Sequence, residues 1–169
     1  MDLAYLPRST KGFKYLLCFI ERVSSYMAAI CLKNITAITV SEALKIFLSI
    51  IPAPARIESD FGAEFSRIFT LTCQKFNIEH SNQIPSRSQS QGNIEAGIRI
   101  LKQGLSRLIA SNPKGRNDWP SCIPKLIHTI NSYFPYKSLL SCVQLFFNHW
   151  YSTNTSLQVL NPLKLSLLE

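Results

Sequence analysis

Over the first third of the chain the apolar residues come in short blocks separated by turn-formers, the pattern of strands. Asp2 to Leu6 reads as the end of a strand, followed by the turn-rich, basic stretch Pro7 to Gly12. Phe13 to Val23 is apolar, aromatic and β-branched and reads as a buried strand. Ser24 and Ser25 mark a turn, and Tyr26 to Leu32 supplies a second strand, so an antiparallel hairpin is expected. Beyond Leu32 the spacing becomes helical. Asn34 or Thr36 can cap a helix reaching about Ile51, with Ile38, Val40, Ala43, Leu44, Phe47 and Leu48 on one face. Pro52 and Pro54 end it.

Ala55 to Ser59 reads as a short strand leading into the turn Asp60-Phe61-Gly62. A helix is expected over Glu64 to Phe76, with Phe65, Ile68, Phe69, Leu71 and Phe76 as its apolar set, and a brief strand over Asn77 to His80. Ser81 to Gly92 is polar, with Pro, Gly and four serines, and reads as a mobile loop. Asn93 then caps a long amphipathic helix to about Ala110, with Ile94, Ile98, Leu101, Leu105, Leu108 and Ile109 inward. Pro113 to Asn117 is a basic turn, and helices are expected over Asp118 to Tyr133 and Ser138 to Trp150. Residues 151–169 carry leucines but weak order signals, so the expected division is a core over 1–150 and a tail over 151–169. Strands first and helices later imply a small mixed sheet covered by helices.

Composition narrows this. A chain of 169 residues, 46% hydrophobic and 17% charged, suits one globular domain with a sizeable core rather than a disordered or fibrous chain. The net charge of +8 points to a polyanionic partner, because each neutralised phosphate releases counterions. Charge alone is equally compatible with an unrelated basic protein. The five cysteines (Cys18, Cys31, Cys73, Cys122 and Cys142) form no CxxC pair, and read as reduced, mostly buried thiols. His80, His128 and His149 make no zinc pattern with them, so no structural zinc is expected. The apolar run Tyr15 to Ile20 is too short to cross a bilayer, and no basic-then-apolar leader opens the chain. A nuclear or cytoplasmic location is the expectation.

Three acids sit at the edges of predicted elements. Asp2 lies on a strand, Asp60 ends a short strand, and Glu95 opens a helix. Carboxylates so placed can converge in a mixed fold, and an all-oxygen donor set suits Mg²⁺ or Mn²⁺. Two such ions, about 4 Å apart, serve phosphoryl transfer by activating the nucleophile and stabilising the leaving oxygen. Locally, each acid has a plainer reading: Asp60 as a turn aspartate, Glu95 as a first-turn helix acid. Arg99 and Lys102, at i+4 and i+7 from Glu95, share its helix face; they are candidates for holding DNA phosphates, or simply a solvated face.

The motifs around these acids carry a resemblance. Asp2 is followed by Pro7 and Lys11-Gly12; Glu21-Arg22 and Ser25-Tyr26 come next. Ser59-Asp60-Phe61-Gly62-Ala63-Glu64-Phe65 and Gln91-Gly92-Asn93-Ile94-Glu95 follow, with Trp119 and Asn131 in the later helices. In order and spacing, from Asp2 to about Phe147, the chain resembles the integrase catalytic core of retroviruses and gypsy-type retrotransposons. The resemblance implies an α/β, RNase H-like fold, a mixed five-stranded sheet flanked by helices. It implies Asp2, Asp60 and Glu95 as catalytic, metal-holding residues with Mg²⁺ or Mn²⁺, two per site. It also implies DNA (element ends and target) as partner, contacted by Arg99, Lys102, Gln91 and Arg87, and leaves a homodimer through the core open. The chemistry implied is metal-dependent 3′-end processing and strand transfer. Glu64, in the turn of Asp60, is expected to be structural.

The fit is incomplete in places. Phe61 stands where the family carries Asn, Ala96-Gly97 replaces a common Arg, and Gln83-Ile84-Pro85-Ser86 replaces a Tyr-His-Pro segment. Gly97 inside a helix costs about 1 kcal/mol against Ala. With Asp2 second in the chain, an N-terminally truncated core is expected, its first strand prone to fray. The alternatives are an inactive, element-derived DNA-binding module, and an interaction domain whose charge is incidental.

Overall fold

The computed structural model describes residues 1–82, 88–111, 117–133 and 138–154. Five strands and five α-helices run in the order β1 (Asp2–Tyr5), β2 (Tyr15–Ile20), β3 (Met27–Leu32), α1 (Ala37–Ile50), β4 (Arg56–Ser59), α2 (Arg67–Lys75), β5 (Glu79–Asn82), α3 (Ser88–Ser111), α4 (Trp119–Asn131) and α5 (Cys142–Asn154). A single 3-10 turn, Ala63–Phe65, precedes α2. The five strands divide between two ladders. β1, β2 and β3 form an antiparallel meander with Asp2 opposite Cys18 and Cys18 opposite Ala29, while β4 and β5 pair in parallel, Ile57 opposite His80. The ladders meet where the Met1 nitrogen donates to the Glu58 carbonyl at 2.6 Å, and this sets β4 beside β1.

Alternation along β2 builds two cores. Leu17 and Phe19 face one side with Leu3, packing on Val40, Ala43 and Leu44 of α1 and on Phe69 and Cys73 of α2. Leu16 and Cys18 face the other with Ala4 and Met27, packing on Ile94, Ile98, Leu101 and Leu105 of α3 and on Trp119, Ile123 and Leu126 of α4. The result is a sheet layer between helices. Two long-range anchors fix α4: the Trp119 indole donates to the Pro7 carbonyl at 2.7 Å, and the Asn131 amide exchanges two bonds with the Met27 backbone. At the β2–β3 turn Ser25 takes a left-handed φ of 59°, braced by the Glu21 carboxylate, which accepts from the Val23 and Ser24 amides and the Ser24 hydroxyl. Burial raises the Glu21 carboxyl, but those hydrogen bonds outweigh it and hold its pKa below the ordinary Glu range.

Several expectations need correcting. The helix expected over Glu64 to Phe76 breaks at Ser66. This rotates the apolar set: Phe65 and Phe69 are buried, while Ile68, Leu71 and Phe76 are exposed. Ile38 is also exposed, because α1 buries only the face led by Val40 and Leu44. The strand expected over Asn77 to His80 shifts to Glu79–Asn82, since Asn77 takes a left-handed φ of 56° and closes α2. Asn93 is not a cap; α3 already begins at Ser88, so the expected loop loses both of its ends to regular structure. Residues 83–87 and 112–116, which include Gln83–Ser86 and most of the expected basic turn, lie outside the described residues. The last helix starts later than expected and takes in residues 151–154 of the expected tail; 155–169 lie outside the described residues. Among the described residues no helix is long and apolar enough to cross a membrane. All five cysteines are free, with Cys18, Cys73 and Cys142 buried.

Candidate active site

Strand geometry decides where the acids point. Leu3 belongs to the α1/α2 core, so its neighbours Asp2 and Ala4 face the α3 side of the sheet. β4 runs beside β1, and Asp60 is the first residue past its end. Ile94 and Ile98 lock α3 onto β2 and Ala4, and Glu95 lies exposed between them. Three elements far apart in the chain thus bring the three predicted acids into one region.

Their mutual field is visible at Asp2. Its carboxyl pKa is raised, first by burial, and further by the negative charges of Asp60 and Glu95; the bond from the Leu3 amide to Oδ1 (2.7 Å) opposes this. Asp60 is exposed, with Oδ1 accepting from the Gly62 amide at 3.0 Å. The turn is tight enough that a Cβ on Gly62 would lie 2.7 Å from the Glu64 carboxyl carbon. Glu64 therefore folds back over its own turn. Tyr5, at the end of β1, and Phe61, in the turn after Asp60, are exposed at 62% and 67%. The Tyr5 phenol pKa is raised by burial and then by Glu64, with smaller effects from Tyr15, Asp60 and Asp2.

Arg99 and Lys102 are exposed on the same helix as Glu95, as their spacing predicts. Burial and then Asp2 push the Cys18 thiol up to about 12, with small opposing effects from the N-terminal ammonium and Lys102. Gln91 lies on α3, but its side chain is outside the description, and Arg87 lies outside the described residues altogether.

The donor set is of the right kind for a divalent cation: oxygen only, with like charges raising the most buried member. As placed, however, no group of three His, Cys, Asp or Glu side chains among the described residues is close enough to hold a metal ion. A groove of about 590 Å³ opens between the end of β2, β4 and α5, past Tyr26, Phe47 and Phe146. Asp2, Asp60 and Glu95 do not line it.

The sequence reading missed a second layer behind Asp60. Ser59 is fully buried and its hydroxyl donates to the Asp60 carbonyl at 3.0 Å; His80 contacts Ser59 through Nε2 at 2.9 Å and Thr70 through Nδ1 at 2.8 Å. The available signal was a lone histidine at a strand, and it points to Ser59 only once the parallel register of β4 and β5 is known.

Residues 1–88 match the integrase core domain family. The Gag-Pro-Pol polyprotein of Human T-cell leukemia virus 3 is 31% identical over 104 residues, 60% of this chain and 7% of that polyprotein. The Gag-Pol polyprotein of Avian reticuloendotheliosis virus is 28% identical over 131 residues, 75% of this chain and 11% of that one. This chain thus spans about a tenth or less of the curated relatives it matches. Among solved structures, the HTLV-2 integrase catalytic core domain in complex with magnesium (trimeric form) superposes with a TM-score of 0.70 at 22% identity, over 86% of this chain and 93% of that one. The fold is therefore that of integrase cores, RNase H-like, with its five strands in two ladders here.

Proposed function

Because the chain belongs to the integrase core domain family, we propose that it is the catalytic core of a retroelement integrase, processing the 3′ ends of element DNA and joining them to target DNA. What supports the reading is the integrase core match over residues 1–88, with the charges of Asp60 and Glu95 adding, behind burial, to the raised pKa of Asp2. In strand transfer the 3′-hydroxyl oxygen of an element end forms a bond to a target phosphorus. The bond from that phosphorus to the target 3′ oxygen breaks, and the leaving oxygen takes a proton. In end processing, water takes the place of the hydroxyl and a terminal dinucleotide leaves.

Asp2, Asp60 and Glu95 would hold Mg²⁺ or Mn²⁺, which when bound favours ionisation of the attacking oxygen and neutralises charge on the leaving one. Asp60 and Glu95 are both exposed, and a bound cation would offset the like charge that they add to the raised Asp2 pKa behind burial. Arg99 and Lys102 hold phosphates of the DNA beside the acids, with Gln91 and Arg87 assigned to the same DNA end. The +8 net charge supplies the longer-range attraction.

The test is joining of a labelled, pre-processed DNA end into plasmid with Mn²⁺ or Mg²⁺, beside the Glu95→Gln chain. Joining by the parent and not by the variant is the expected result. A parent that folds and binds DNA, yet joins nothing and does not respond to metal, would make the chain an inactive DNA-binding module.

A further inference from the structure

The Asp60 turn is held from behind by side chains from three elements. Ser59 has one hydroxyl proton and donates it to the Asp60 carbonyl at 3.0 Å. Toward His80 Nε2, 2.9 Å away, Ser59 can then only accept, so Nε2 carries the ring proton. Nδ1 of the neutral ring is the acceptor, and Thr70 donates to it at 2.8 Å. The other oxygen within reach of Thr70, the Ser66 carbonyl, is 3.5 Å away and too distant to compete. This arrangement of protons satisfies Ser59, His80 and Thr70 together. The fully buried Phe69 packs edge-on against the imidazole, ring centres 4.9 Å apart, and blocks its rotation. Burial also lowers the His80 pKa, which keeps the ring neutral as the relay needs.

The output of this relay is the backbone of Asp60. The Ser59 hydroxyl fixes its carbonyl on one side, and the Gly62 amide fixes carboxylate Oδ1 on the other. We propose that His80 is a positioning residue for Asp60, acting through Ser59 to set where that carboxylate stands relative to Asp2 and Glu95. This rests on the reading of Asp60 as a metal-holding acid. His80 touches no substrate; it determines how often the Asp60 carboxylate is in place. A merely structural role, stitching β5 to β4, would lower stability in a His80 variant without altering the surroundings of Asp60.

Three readouts separate these roles in the full chain: the His80 imidazole ¹⁵N shifts, the Gly62 amide resonance without metal, and Mn²⁺ affinity by titration calorimetry. The variants are His80→Ala, His80→Gln, Asp60→Asn, and Ile123→Val as a destabilised control in the opposite core. The parent ring is expected as the neutral Nε2–H tautomer. His80→Ala is expected to move the Gly62 resonance and weaken Mn²⁺ binding about tenfold, with His80→Gln recovering most of the loss because its amide can donate to Ser59. Ile123→Val should move neither. A Nδ1–H tautomer, or an unmoved Gly62 resonance with parental Mn²⁺ affinity in His80→Ala, overturns the proposal. If Asp60→Asn abolishes Mn²⁺ binding while His80→Ala leaves it intact, the metal site stands and the positioning role falls. If Gly62 responds to His80→Ala but the parent binds no Mn²⁺, the relay stands and the metal reading falls. Should His80→Ala fail to fold, Thr70→Val keeps the side-chain shape, removes the donor to Nδ1 and carries the same comparison.

Discussion

Asn131 stands in for a missing strand. β3 is the edge of its ladder, and at Met27 its outward backbone groups meet the Asn131 side chain: the Met27 amide donates to Oδ1 at 2.8 Å and Nδ2 donates to the Met27 carbonyl at 2.7 Å. Asn131 is 6% exposed and Met27 2%, so water has little access to either group. In Asn131→Ala both Met27 groups lose their partner, at about 1–3 kcal/mol each. Some relief from an entering water brings the expected loss to about 2–4 kcal/mol, which for a chain of this size is about 5–15 °C in Tm. Asn131→Asp sharpens the argument. It keeps the acceptor for the Met27 amide but sets a carboxylate oxygen against the Met27 carbonyl. Only the protonated carboxyl can donate there, so the introduced group has a raised folded pKa. Its loss is then smallest below the unfolded value of about 4 and grows as pH rises through the folded one. Urea titrations followed by circular dichroism at acid and neutral pH measure both variants, with unchanged m-values required for the comparison. A loss under about 1 kcal/mol for Asn131→Ala, or Asn131→Asp matching the parent at neutral pH, would refute the accounting of these two bonds.

Two further outcomes follow from contacts in the site. Gly97→Ala should gain about 1 kcal/mol from helix propensity, but its Cβ would sit 2.2 Å from Ile20 Cδ1 and 2.9 Å from Met27 Cε. Both atoms are the far ends of flexible side chains that can turn aside, so the two effects nearly cancel and a net change within about 1 kcal/mol is expected in urea melts; a loss of about 3 kcal/mol or more would show that Ile20 and Met27 cannot yield. The raised Asp2 pKa gives a pH test in metal-free buffer. The folded chain holds that proton more tightly than the unfolded one, so this contribution is present at acid pH and lost as pH rises through the folded pKa. Asp2→Asn keeps the acceptor for the Leu3 amide and should be more stable than the parent at neutral pH, the gap closing in acid; the reverse trend would refute the raised Asp2 pKa.

Much of this protein is written in its local pattern. The continuous apolar run over Leu16 to Phe19 marks β2 as buried on both faces, and the helical spacing of Ile94, Ile98, Leu101 and Leu105 assigns the buried side of α3. Both follow from local pattern, which needs no knowledge of the partner. The three acids were singled out because their flanking residues form motifs with characteristic spacing. Other features were decided only by the tertiary structure. The break at Ser66 rephases α2 and exposes Ile68 and Leu71, and α3 begins five residues before Asn93. Gly97, a local defect in a helix, is the residue that lets α3 close on Ile20 and Met27. The Ser59–His80–Thr70 relay joins residues from β4, β5 and α2. The physical reason is common to all of these. Local pattern determines which way a side chain points from its own backbone, whereas what it meets there depends on how non-neighbouring strands pair and how closely layers pack.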